Sequence, residues 1–292
     1  MTVRKPAVAG QFYPGSEKQC RSEIADCLAE RPVTIKLPEK IVAGIVPHAG
    51  WTFSGDLAGM VFGAIEKVEK KVDTFVIFGT THSYFGPTAA IYDKGSWQTP
   101  MGEIKIDEEL AAAIIEKSPS AKSNPEAHRY EHSIEVQVPF IQYLFKDAKI
   151  VPILTPPADF AVTVGTAAAE CIKSASDKKI VCIGSTDLTH YGPHYGFNPQ
   201  GSGPAGIKWA KEVNDKAFID LALSLQAEKV LSGSLEKGNA CGPGAAAAAI
   251  AAARAFGKTK GVLLAHTHSN EVMERRFGQT SEESVGYAAI VY

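Results

Sequence analysis

Three short runs along the chain are almost wholly apolar, and each stops at a polar cluster. They span 41–46, 74–78 and 179–183. Continuous runs of this length suit strands of a parallel sheet buried on both faces. They lead into Pro47-His48-Ala49-Gly50-Trp51, Gly79-Thr80-Thr81-His82-Ser83 and Gly184-Ser185-Thr186-Asp187-Leu188-Thr189-His190. A fourth cluster, Asn239-Ala240-Cys241-Gly242-Pro243-Gly244, opens a predicted helix. In open α/β sheets, strand carboxyl ends and helix amino ends face one crevice, where ligands bind.

Between these runs the apolar spacing predicts helices over 16–30, 57–70, 107–116, 132–145, 160–174, 208–223, 227–235 and 244–256. Asp107 is the expected cap of the third, and Pro139 is expected to break or kink the fourth. Further strands are predicted over 88–92, 103–106, 150–154, 260–265 and 285–291. Such alternation points to an α/β fold, with a central mostly parallel or mixed sheet covered by helices on both faces. No composition shift or fixed-period repeat divides the chain, so residues 1–292 read as one domain. Residues 191–206 are rich in Gly and Pro; a loop of this length beside a polar cluster is read as a lid. The Ala-rich helix from Gly244 is read as close packing against the sheet.

Charge narrows the partners. The 30 basic and 32 acidic residues nearly cancel, to a net −2, and no long basic run occurs. No nucleic-acid partner is expected. No stretch approaches ~18 consecutive apolar residues, so no membrane span is expected. Residues 1–10 lack the apolar core of a signal peptide, and a cytoplasmic location follows as the expectation. Of five cysteines, Cys20, Cys27, Cys171 and Cys182 read as buried or partly buried thiols. Phosphate-loop and hydrolase-elbow patterns are absent.

The remaining polar residues carry the candidate chemistry. Imidazole and thiolate are ligands that suit iron, copper and zinc. His48 and His82 each follow a predicted core strand, and Cys241 precedes a helix whose amino end favours a thiolate. Either imidazole taken alone also fits a loop-capping role. Asp187 and His190 are three apart; a carboxylate beside an imidazole orients it and raises its basicity, making a general acid or base. Alternatively, Asp187 shapes its loop by accepting from backbone amides. His132 and Glu131 open a helix at the crevice, while His128 and His194 read as surface residues. Trp51, Glu131 and Tyr191 are assigned to the substrate side. His266 and His268 share one strand face and are either structural or, for one of them, near the crevice.

These motifs have a counterpart. The segments RKPAVAGQFYP, IVPHAGWTFSG, GTTHS, EHSIEVQVPF, GSTDLTHYG and NACGPGA resemble the Memo family, in that family's order, from Arg4 to Tyr292. The resemblance implies a fold similar to the class III extradiol (LigB-type) non-haem iron dioxygenases. It also implies a metal pocket of His48, His82 and Cys241, with Asp187 and His190 beside it. Vertebrate relatives are linked to motility signalling through a receptor tyrosine kinase and to copper or iron. Prokaryotic relatives often accompany an AMMECR1-like protein and a radical SAM protein, which the resemblance therefore implies as partners.

One departure matters. The dioxygenases use two histidines and a carboxylate, whereas the third position here is Cys241, a softer ligand that favours Cu(I) or Zn. The leading expectation is a metal-dependent, dioxygenase-like oxidoreductase acting on a small molecule or peptide. Its metal would be Fe(II), with Cu or Zn as alternatives. His48, His82 and Cys241 would bind the metal, and His190, Asp187 and His132 would carry the chemistry. The alternatives are a non-catalytic peptide- or phosphopeptide-binding module on the same crevice, and a zinc hydrolase.

Overall fold

The computed structural model describes residues 2–292. In chain order its elements begin with β1 (Val3–Arg4), α1 (Glu17–Glu30), β2 (Ala43–Val46), α2 (Trp51–Glu69), β3 (Thr74–Gly79) and β4 (Ala89–Ile91). There follow β5 (Ser96–Thr99), β6 (Gly102–Lys105), α3 (Glu108–Lys117), β7 (Ala121–Ser123), α4 (Val138–Leu144), β8 (Lys149–Leu154), α5 (Phe160–Ser174) and β9 (Ile180–Ser185). The last part holds β10 (His190–Tyr191), α6 (Pro204–Trp209), α7 (Lys216–Leu223), α8 (Ala227–Lys237), α9 (Pro243–Ala255), β11 (Val262–His268), α10 (Ser269–Phe277) and β12 (Ser284–Val291).

Four parallel strands form the centre of the main sheet, in the order β2-β9-β3-β8. Every residue of β2, β3 and β9 is buried, which accounts for their lack of apolar–polar alternation. Antiparallel partners close the flanks, β12 on β2 and β4 on β8. The sheet is therefore mixed, and β1, β5 and β6 form a separate small sheet.

Helices cover both faces. A Cβ on Gly44 would meet Val61 of α2, and one on Gly184 would meet Ala245 of α9. Gly184 is in register with Ile45, the neighbour of Gly44, and adjacent strand positions point to opposite sides. Helix α9 is buried from Pro243 to Ala253, packed against β2 and β9 and against α5 and α8. Small residues on every side are what that position needs. A Cβ on Gly165 of α5 would lie 2.1 Å from the Ala248 carbonyl oxygen, so the two helices touch backbone to backbone.

The structure moves several predicted boundaries. Helix α2 starts at Trp51 rather than at 57, because Gly50 ends the extended segment and the Trp51 ring turns inward. The 132–145 helix is a 3-10 turn (Glu135–Gln137) followed by α4, and Pro139 sits in the first turn, where its missing N–H costs no bond. The 208–223 helix starts earlier, at Pro204, and its middle, Ala210–Asp215, is a π-helix. Strand β11 runs on through His268, and α10 follows it at once. Among the described residues, no helix is long and apolar enough to cross a membrane.

Candidate metal centre

The carboxyl ends of β2, β3 and β9 and the amino end of α9 meet at one edge of the sheet, and the polar clusters lie there. His48 stands two residues beyond β2, His82 three beyond β3, and Cys241 two before α9. One ligand atom from each lies within 4.8 Å of the other two. Gly242 makes this approach feasible: a Cβ there would lie 2.1 Å from Thr80 Oγ1 and 2.8 Å from the Ser185 carbonyl.

Hydrogen bonding fixes the tautomers. Ser185 Oγ donates to the Ser133 carbonyl at 2.8 Å, so its contact with His48 Nδ1 at 3.0 Å is one it accepts. His48 then carries its proton on Nδ1, and its Nε2 lone pair faces Cys241 Sγ at 3.2 Å. His82 Nδ1 donates to Glu131 Oε1 at 2.9 Å, which likewise leaves Nε2 free. Partners of this kind orient metal-binding imidazoles. Glu131 also accepts from the backbone N–H groups of His82, His132 and Ser133.

Electrostatics differ among the three. Burial pushes His48 down to about 3, so its ring is neutral. Burial also opposes charge on His82, but the bond and charge of Glu131 outweigh it and raise this imidazole above its ordinary value. Burial, then the charge of Asp187, pushes the Cys241 thiol well above the ordinary thiol range. This corrects the expectation that the helix end favours a thiolate: without a cation, Cys241 is a thiol donating to His48 Nε2. Cys241 would give up that proton to hold a metal ion, because a coordinating thiol is deprotonated. Two Nε2 atoms and a thiol converging on one point fit a first-row metal ion, which would take the place of their protons.

The other predicted residues divide. His132 stacks on His82, centroids 4.4 Å apart, and meets Phe12 edge-on at 4.8 Å; burial lowers it to about 4. His190 lies at the same cavity, edge-on to Tyr195 at 5.1 Å. Asp187 accepts from the His48 backbone N–H at 2.7 Å, the loop-shaping alternative, and its charge raises His190 against the larger lowering by burial. All three substrate-side assignments are corrected. Trp51 is 2% exposed and donates to the Val136 carbonyl at 3.0 Å, so it belongs to the core. Tyr191 is fully buried, and its hydroxyl donates to the Gly201 carbonyl. Glu131 is buried beneath His82 rather than lining the cavity.

His128, read as a surface residue, is fully buried between Tyr92 and Trp97, with Nε2 donating to the Ala90 carbonyl. His266 bonds Asp215 at 3.0 Å, and His268 Nδ1 caps α10 by accepting from the Glu271 N–H; both are structural. Asp215, at the end of the π-helix, also accepts from the Thr189 N–H, which ties that helix to the His190 loop.

A cavity of about 450 Å³ opens beside these three residues, with walls that sequence reasoning missed. Phe12, Phe53, Tyr195, Met273, Glu283 and Tyr287 line it. Tyr195 comes from the loop read as a lid. Met273 lies on α10, which was not predicted, and Glu283 in the segment after it. Glu135 explains why Phe12 is present: this buried carboxylate accepts from the N–H groups of Ala7 and Val8, from the Tyr13 hydroxyl and from Arg4. The EHSIEVQ run therefore orients His82 through Glu131, anchors the amino-terminal segment through Glu135 and, through Gln137, reaches the Pro47 carbonyl before His48.

A family profile described as Memo-like protein matches residues 4–291. The chain belongs to the Memo family. It is 39% identical over 304 residues to a MEMO1 family protein of Thermococcus onnurineus, covering 99% of each chain. It is 36% identical over 298 residues to one of Methanococcoides burtonii, again over 99% of each. A third, from Pyrobaculum aerophilum, is 34% identical over 300 residues, 100% of this chain and 99% of the relative. The Memo match thus covers the sheet, the ligand loops and the cavity walls together.

Proposed function

We propose that this Memo protein binds a redox-active metal, Fe(II) first, on His48 Nε2, His82 Nε2 and Cys241 Sγ, and acts as an oxidoreductase on a ligand held in the adjoining cavity. The observation that carries the reading is the pair of Nδ1–H tautomers, set by Ser185 and Glu131, which aim two lone pairs at one thiol. A bound metal of this class supplies electron transfer and Lewis acidity. The chain's own residues supply the rest. Glu131 and Ser185 hold the two rings in orientation. His190, kept neutral by burial, has a ring nitrogen able to take a proton from a ligand in the cavity. His132, stacked on His82, and Phe12 form the cavity wall beside that ring.

The thiol in place of a carboxylate favours zinc as the second reading, since two histidines and one cysteine with an open position suit zinc hydrolysis. Elemental analysis of anaerobically purified protein, beside His48→Ala and Cys241→Ala, separates the two. Iron or copper near one per chain, lost in both variants, is expected. Zinc lost in both would transfer the site to hydrolysis. Equal metal in all three proteins would overturn the site.

A further inference from the structure

The cavity wall has a composition that selects its ligand. Its non-ligand surface is aromatic and apolar, from Phe12, Phe53, Tyr195, Met273 and Tyr287, with one carboxylate, Glu283, outside the metal-side loops. Among the described residues, no Lys or Arg lines it. The imidazoles are its only basic groups, and the most exposed of them, His82, is already paired with Glu131. Arginines do lie nearby on α10, but Arg275 is engaged by Glu30 and Asp56, and Arg276 by Glu30. A phosphate or carboxylate ligand entering here would meet carboxylates and ring faces without a guanidinium or ammonium to receive it. Sites that recognise such anions carry cationic or amide donors, whereas aromatic walls beside a carboxylate attract cations.

We propose that this cavity takes a small aromatic ligand that is neutral or cationic at its far end, with Glu283 at the mouth as the residue that discriminates against anions. The proposal deepens the reading above by naming the ligand class of the same site. Glu283 is placed for this role by two local contacts: its backbone N–H donates to Ser281 Oγ, and its Oε1 accepts from the His194 N–H. The carboxylate therefore ties the Tyr195 loop to the segment after α10 and leaves Oε2 for a ligand.

The test uses three probes that share a phenol ring and differ only in the tail: tyramine (cationic), 4-ethylphenol (neutral) and 3-(4-hydroxyphenyl)propionate (anionic). Phenyl phosphate serves as a fourth. Binding is measured by calorimetry on the metal-free full chain, so that failure here is distinct from failure of the metal assignment, which elemental analysis reads separately. Tyramine is expected to bind about tenfold more tightly than the propionate, the effect of one partly screened charge pair. Glu283→Gln, which keeps the acceptor for His194, should shrink that ratio to near one. Met273→Lys, which brings a cation to the wall without touching Glu283, should reverse it. Folding of both variants is checked by circular dichroism. Propionate or phenyl phosphate binding as tightly as tyramine would overturn the proposal, as would no binding of any probe or a ratio unmoved in Glu283→Gln.

Discussion

Replacing Glu131 with Gln isolates the part played by the buried carboxylate under the metal centre. Glu131 Oε1 receives His82 Nδ1 and the His132 and Ser133 amides, and Oε2 receives the His82 amide. Glutamine keeps the volume and can keep its oxygen toward the three donors. Its NH2 then faces the His82 N–H, donor against donor, at a side chain that is 1% exposed. Losing one charge-assisted bond and leaving one buried donor unpaired costs about 2–4 kcal/mol. The negative charge that supports His82 is lost as well, and loss of such a supporting partner lowers metal affinity by roughly 10–100-fold. Urea unfolding of the metal-free protein reads the first quantity, and competitive metal titration against a chelator reads the second. A variant within about 0.5 kcal/mol of wild type, the range of ordinary surface changes, and with unchanged metal affinity would refute the reasoning.

Two further outcomes follow from the packing. Gly165→Ala places a methyl group 2.1 Å from the Ala248 carbonyl oxygen, so overpacking should cost about 1–3 kcal/mol. A lower melting temperature with unchanged metal binding is expected, and an unchanged melting temperature would contradict the close helix contact. His128 is held neutral by burial, at about 3 in the folded protein, against about 6.5 unfolded. The unfolded chain takes up a proton that the folded one refuses, so stability is full above about pH 6.5 and falls as pH drops toward 3, by about 1.4 kcal/mol per unit. Urea midpoints between pH 6.5 and 4.5 should therefore fall less steeply in His128→Phe than in wild type, by about one proton; equal slopes would contradict the assignment.

The sheet and the convergence of His48, His82 and Cys241 were legible because strands buried on both faces leave an unbroken apolar signal, and polar loops at their ends stand out against it. The tautomers were not legible. They depend on Ser185, Ser133 and Glu131, which meet His48 and His82 only through sheet topology. Trp51 and Tyr191 were misplaced because sequence adjacency to a polar loop does not say which way a ring turns; Trp51 opens a helix and faces the core. His128 was taken for a surface residue because Asn124-Pro125 reads as an exposed loop, yet Arg4, reaching across the chain to the His128 carbonyl, holds that turn inside. The cavity wall was the least visible part. Helix α10 is mostly polar, with a buried face of only Asn270 and Val272, too weak a stripe to announce a helix. One signal could have revealed the amino-terminal wall: Glu135, a carboxylate at helical spacing among apolar residues, needed buried donors, and Arg4 in RKPAVAGQFYP was the strongest available.

The most direct measurement of the central claim is the absorption spectrum of the protein loaded anaerobically with Co(II), beside Cys241→Ser. Cobalt adopts the ligand set offered to it, and a bound thiolate gives an intense near-ultraviolet sulfur-to-cobalt charge-transfer band. We predict that band in the wild type at one Co(II) per chain, absent in Cys241→Ser, with the ligand-field bands weakened in His48→Ala and His82→Ala. The same spectrum in wild type and Cys241→Ser would place the metal elsewhere and contradict the account.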